Sequence, residues 1–219
     1  MHVGVLGGTG PAGSGLAVRL ASVGLEVTIG SRSAERAKET CDALTGKWAD
    51  RALTLRPGDN DEAAMADIVV VATPWDSAAS TCASVADHLT DKVVISMANA
   101  LAKVGDEFQP LVPPRGSVAA SVQAIVPGAC VAAAFHHLPA KELGDIAHTL
   151  ESDVLICSDH PRATEVTSDL VRMVPGLRPL DSGRLSNAAP IEAFAAVLLQ
   201  LNVRYKTRAA IKLTRIETA

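Results

Sequence analysis

Near the start of the chain, Gly8-Thr9-Gly10-Pro11-Ala12-Gly13 spells G-x-G-x-x-G between two segments of different period. Ahead of it lies the short apolar run His2-Val3-Gly4-Val5-Leu6. Behind it, Ala12 to Val23 repeats Leu16, Val18, Leu20 and Val23 at helical spacing. Strand, glycine turn and helix in that order are the setting in which this pattern binds a dinucleotide. Gly8 allows the tight turn, Gly10 lets the backbone approach a pyrophosphate, and Gly13 lets the helix pack on the strand. The helix N-terminus then offers N–H groups and partial positive charge to the phosphates. The competing reading is an ordinary glycine-rich turn between a strand and a helix.

The alternation of periods continues. Leu25 to Ile29 reads as a strand, and Ser33 caps a solvated helix carrying Glu35, Arg36 and Lys38. Ala52–Leu55 is a weak strand, Asp67–Ala72 a buried one, Asp76–Leu89 a helix and Lys92–Ser96 a strand. This predicts an α/β fold, a Rossmann-type doubly wound parallel sheet over residues 1–139. Lys103 to Gly116, with three prolines, reads as a linker, and Ser117–Ser121 and Ala129–Phe135 read as strands. Residues 140–219 predict a small C-terminal α/β-helical domain. It has helices at Ala140–Leu150 and Arg162–Val174, strands at Val154–Cys157 and Leu177–Leu180, and a long helix from about Ser186.

The second strand selects the dinucleotide. NAD-binding versions end it with an acid that holds the ribose 2′-OH. Here the segment is Ile29-Gly30-Ser31-Arg32-Ser33, without an acid. A hydroxyl and a guanidinium favour a 2′-phosphate that a carboxylate would repel, so the expected cofactor is NADP(H). Arg36 and Lys38 add positive charge or form a solvated helix face. Thr73-Pro74-Trp75-Asp76 and Ser96-Met97-Ala98-Asn99 follow the fourth and fifth strands, at the edge where such sheets hold ligands. Pro74, Trp75 and Ala98 are therefore candidate contacts, and Trp75 reads equally as a buried loop anchor.

Several classes are excluded or disfavoured. Lys and Arg number 20 against 24 Asp and Glu, a net charge of −4, and there are six aromatic residues. A nucleic-acid binder would show a basic surplus and more stacking rings. No run of eighteen apolar residues suggests a membrane span, and no basic, then apolar, leader is visible. The four cysteines stand alone, without a C-x-x-C pair, so no metal site is expected and a reducing, cytoplasmic setting is.

GGTGPAG, IGSRS, VVATPWD, AAFHHLPA and LRPLDSGRLSNAAPIE, in that order, resemble the NADPH-dependent reductases of the deazaflavin coenzyme F420. The resemblance runs from residue 1 to about 212. It implies a Rossmann domain for NADP, a C-terminal domain covering F420 as co-substrate, and reversible hydride transfer between nicotinamide C4 and deazaflavin C5. It further implies an NADP set of Thr9, Gly10, Pro11, Ala12, Ser31, Arg32, Arg36, Thr73, Ser77 and Ala140. His136, Leu138 and Pro139 would lie between the two rings. Ala193 and Ala195 depart from the hydroxyl side chains associated with the family near the cofactors.

The residues show no strong acid–base pair, and transfer between two carrier rings needs none. Tyr205 is followed four residues on by Ala209, so no Y-x-x-x-K couple exists, and H-E-x-x-H and G-x-S-x-G are absent. His136 is the one catalytic candidate. Adjacent strand residues point to opposite faces, so only one of His136 and His137 can face the cleft. Two other readings stay open: an NADPH-dependent reductase of a small imine, keto acid or metal ion, and a non-catalytic NADP-sensing module. Phe194, Val197, Leu198 and Leu201 on the terminal helix suggest a homodimer. Arg204, Arg208, Lys212 and Arg215 fall in helical register, which reads as a rail for an anionic coenzyme tail or as cations drawn to a helix C-terminus.

Overall fold

The computed structural model describes residues 1–216; residues 217–219, the end of the segment expected as a C-terminal domain, lie outside them. The chain opens with β1 (His2–Leu6), α1 (Pro11–Ala21), β2 (Glu26–Ser31), α2 (Ala34–Lys47), β3 (Thr54–Asp59) and α3 (Asn60–Ala64). It continues with β4 (Ile68–Val71), α4 (Trp75–Ser84), α5 (Ala86–Leu89) and β5 (Val93–Ser96). A hairpin, β6 (Leu101–Val104) and β7 (Glu107–Pro110), precedes α6 (Val118–Ile125), β8 (Cys130–Ala133) and α7 (Ala140–Leu143). The chain ends with β9 (Ser152–Ser158), α8 (Pro161–Arg172), β10 (Leu177–Asp181) and α9 (Ala188–Tyr205).

One eight-stranded sheet runs β10-β9-β8-β5-β4-β1-β2-β3. Its six strands from β3 to β8 are parallel, in the order 3-2-1-4-5-6 of the doubly wound fold. β9 then pairs antiparallel to β8 (Ala132 with Ser158, Ala133 with Cys157), and β10 runs parallel to β9. Residues 152–181 thus extend the same sheet. The apolar strands are continuous because both faces are covered. Ile68 and Val70 face one apolar cluster with Leu16, Leu20 and Leu170, while Val69 and Val71 face another with Ala78, Cys82 and Val122.

Three sequence expectations change, and one segment that the sequence left unassigned proves helical. Ser117–Ser121 is not a strand: the Ser117 side chain accepts a hydrogen bond from Ala120 N at 3.0 Å and starts α6. The span read as a linker holds the β6–β7 hairpin. The segment between Asp59 and Ala64 forms a short helix, fixed by a capping box between Asp59 and Glu62. The basic residues from 204 to 215 do not form a helical stripe. α9 stops at Tyr205, Lys206 takes the left-handed conformation (φ 51°), and Asn202 Oδ1 accepts from Ala209 N, folding the chain away. Arg208 then pairs with Glu142.

Two buried charges anchor the C-terminal elements. Asp153 accepts two hydrogen bonds from Arg178, at 2.8 and 2.7 Å, and one from Leu213 N. Arg178 also donates to Leu213 O and Ile216 O, which straps residues 211–216 across the start of β9 and β10. Desolvation works against the Asp153 charge, but these bonds hold its carboxyl below the usual range. Glu192, on α9, accepts from Val118 N (2.8 Å) and Ala119 N (3.1 Å) at the start of α6. Burial dominates there and pushes its carboxyl up to about 7.

Candidate active site

At the carboxyl edge of β1, β2, β4 and β5 lies a cavity of about 820 Å³. Thr9, Gly10, Pro11 and Ala12 form its floor, Ser31, Arg32 and Arg36 one end, and Thr73, Pro74, Trp75, Ser77 and Ala98 the other. Gly8 and Gly13 do not line it. They pack behind: a Cβ on Gly13 would sit 2.9 Å from Gly8 Cα and 3.0 Å from the Ala72 Cβ, so α1 could not lie this close to the turn. At Gly10 the nearest atom to such a Cβ is 3.9 Å away, so that position faces open space. Ser31 Oγ accepts from Ser33 N at 3.2 Å, and Ser33 in turn caps α2. Neither Arg32 nor Arg36 has an acidic partner among the described residues.

The glycine loop is also held from the side. Gly7 N donates to Asn60 Oδ1 at 3.2 Å, and Asn60 lines the same cavity. Sequence reasoning missed Asn60 because it belongs to a helix of five residues without an apolar period. The cavity-facing loop after β5 was visible as an edge, but its contacts were not.

A second cavity, of about 190 Å³, adjoins the first and shares Ala12, Met97 and Asn99 with it. Its other walls are His136, Leu138, Pro139 and Ala140, with Ala195 and Leu198 from α9. Both His136 and His137 line it. The expectation that only one could do so fails because the strand ends earlier: Phe135 takes φ 62°, and both rings sit in the turn beyond it. The rings meet edge to face, with centroids 5.4 Å apart. His137 Nε2 accepts from Leu155 N at 3.1 Å, whereas neither His136 nitrogen meets a partner at full hydrogen-bonding geometry among the described residues. Desolvation holds both imidazoles neutral, His136 pushed down to about 3 and His137 to about 4.

Arg19 fixes this wall. From α1 it donates to four carbonyls, those of Glu142, Leu143, Asp145 and His148. Gly15 lets the loop come this near, since a Cβ there would lie 2.9 Å from Ala140 O. Asn99 Nδ2 donates to His136 O at 2.5 Å and ties the two cavities' loops together. Buried polar atoms without partners gather here: Thr73 Oγ1, Ser96 Oγ, Asn99 Oδ1, both His136 nitrogens and His137 Nδ1. In a folded protein such atoms usually find partners; Thr73, Asn99, His136 and His137 line the two cavities, whereas Ser96 lines neither.

The family described as NADP oxidoreductase, coenzyme F420-dependent, matches residues 2–100. An F420-dependent NADP reductase of Methanocaldococcus jannaschii is 33% identical over 99% of this chain and 100% of its own. One of Methanothermobacter thermautotrophicus is 34% identical over 99% and 96%. A crystal structure of a candidate F420-dependent NADP reductase from Arthrobacter sp. FB24 superposes with a TM-score of 0.83 at 22% identity, covering 97% of this chain and 99% of that one, and shows the shared fold. End-to-end likeness at that level of identity, on a doubly wound sheet with a glycine-loop cavity, means that the chain belongs to the family of F420-dependent NADP reductases.

Proposed function

We propose that this protein transfers a hydride, reversibly, between NADP(H) and an 8-hydroxy-5-deazaflavin coenzyme of the F420 type. The observation that carries this reading is the meeting of two cavities of unequal size across Ala12, Met97 and Asn99. The larger suits a phosphorylated dinucleotide. Thr9 to Ala12 and the start of α1 would receive the pyrophosphate, and Ser31, Arg32 and Arg36 the 2′-phosphate. The unpartnered Thr73 hydroxyl fits a ligand on the opposite wall.

Bound together, the coenzymes supply the hydride donor and acceptor carbons, and the chain supplies placement and dryness. Leu138, Pro139 and Ala140 would hold the rings, with residues 140–216 forming the outer wall. His136 is neutral, so it would orient a ring by accepting or donating a hydrogen bond rather than deliver a proton from an imidazolium. Phe135, Leu138 and Leu198 keep water away. A homodimer would cover Phe194, Val197 and Leu201, which are 41, 49 and 37% exposed along one face of α9. The four free cysteines suit a cytoplasmic setting.

The test is anaerobic mixing of the protein with NADPH and oxidised F420. Loss of the deazaflavin absorbance matched one to one by NADPH oxidation is the expected result. Oxidation of NADPH by a cyclic imine, a 2-keto acid or a ferric chelate, with F420 untouched, would replace this reading with a small-substrate reductase. Binding of NADPH without any turnover would leave a sensor.

A further inference from the structure

We propose that Asn99 Oδ1 accepts a hydrogen bond from the carboxamide N–H of bound NADP(H), which makes Asn99 the residue that orients the nicotinamide ring. The inference rests on the reading of the larger cavity as the NADP site.

Three residues line both cavities, and of these Ala12 and Met97 carry no hydrogen-bonding side-chain group beyond a weak thioether. Asn99 is the polar one. Its amide has a fixed orientation: the His136 carbonyl can only accept, so the NH2 faces it, at 2.5 Å. Oδ1 therefore points elsewhere, is buried, and has no partner among the described residues. A buried acceptor left in that state costs about 1–3 kcal/mol, and a ligand N–H would relieve it.

Position selects the ligand group. Ser31 ends β2 and Asn99 follows β5, and the strands between them run in the order β2-β1-β4-β5. Three steps of about 4.8 Å separate the two positions by roughly 14 Å across the sheet. A dinucleotide with its 2′-phosphate at Ser31 and Arg32, and its pyrophosphate over the turn after β1, reaches β5 with its nicotinamide. The carboxamide is that ring's N–H donor and sits next to the carbon that carries the hydride. Holding it decides which way the ring lies toward the second cavity.

The experiment compares equilibrium binding of NADP⁺ with that of its 3-acetylpyridine analogue, in which a methyl group replaces the carboxamide NH2. Calorimetry on the full chain, without deazaflavin, supplies the dissociation constants. The wild-type protein should prefer NADP⁺ by about tenfold, the effect of one well-made buried hydrogen bond. Asn99→Leu, close to isosteric, should bind both with the wild-type affinity for the analogue, so that the ratio falls to one. If Asn99→Leu does not fold, Asn99→Ala reports the same ratio. A merely structural role for Asn99 would weaken both ligands together and keep the ratio, which overturns the proposal. The deazaflavin pyrimidine also carries an N–H. If Asn99→Leu instead abolishes the preference for 8-hydroxy-5-deazaflavin over its N3-methyl derivative, while the dinucleotide ratio persists, Asn99 serves the other ring and the proposal is equally overturned. Failure of the wild-type protein to bind NADP⁺ at all would sink the proposed function, and this inference with it.

Discussion

The two cavities differ in how they would know their ligands. The larger offers two cations without acidic partners among the described residues, a helix N-terminus and scattered hydroxyls, so charge and hydrogen bonding would do the selecting. The smaller is a quarter of its size (190 against 820 Å³), walled mainly by apolar groups, with two neutral imidazoles and the amides of Asn99 and Asn202. Shape and dryness would do the selecting there. A charged ligand end is read through local, exposed residues whose loss costs affinity. A ring is read through distant parts of the chain whose packing has to be right at once.

The sharpest way to break this contrast is to cut the link between the two halves. Arg19→Ala leaves four loop carbonyls without their charged donor. It should destabilise the fold by about 3 kcal/mol in urea titrations and weaken deazaflavin binding at least tenfold. NADP⁺ binding should change little; an equal loss of both would mean that the cavities are one energetic unit.

The next effect concerns pH. Glu192 binds its proton more tightly folded than unfolded, because its value rises from 4.5 to about 7. Its contribution to stability is therefore full below pH 4.5 and is lost as pH rises through 7. Across that window the slope should approach about 1.4 kcal/mol per pH unit. Glu192→Gln should flatten it in denaturant melts taken at successive pH values, and a slope that survives the change would place the titration elsewhere.

Arg32→Ala should weaken NADPH by about thirtyfold, on the order of 2 kcal/mol for a guanidinium–phosphate contact, and leave NADH nearly unchanged. Equal weakening of the two would show Arg32 supporting the loop rather than the phosphate. The smallest effect is expected in the second cavity. His136→Ala should slow turnover about tenfold or less, against ~10⁴-fold at the upper end for losing a general acid or base. With His136 and His137 pushed down to about 3 and 4, the turnover profile should show no histidine inflection between pH 5 and 8. An inflection there that vanishes in His136→Ala would make His136 a proton donor.

The same contrast explains what the sequence disclosed. The parallel strands were legible because runs such as Ile68–Val71 are buried on both faces, and the glycine turn because it is contiguous. The order of the strands, and so which edge residues meet, was not. The pairing of Asn99 with His136 spans 37 residues and leaves no local pattern. The segment after Ser117 reads as a strand because Val118-Ala119-Ala120 suits a strand as well as a helix, and the capping hydrogen bond decides between them. α3 did leave a trace: a Cβ on Gly4 would land 1.8 Å from Ala63 O, so the glycine inside β1 marks the place where a helix crosses it. The stripe from 204 to 215 requires a helix running through Lys206, whose left-handed backbone no periodicity announces.

The reversal of direction between β8 and β9 has a practical consequence for anyone handling the protein. Because β9 and β10 begin where the parallel strands end, the strap from Ile211 to Ile216 lies on the same edge of the sheet as the two cavities. Met1 and His2 lie on the opposite edge, about nine residues of strand away, or roughly 30 Å. A purification handle or fluorescent reporter joined ahead of Met1 would hang clear of the chemistry. The same cargo joined directly after Ile216 would start on the edge that carries the two cavities, pulling on the bonds that Arg178 makes to Leu213 and Ile216.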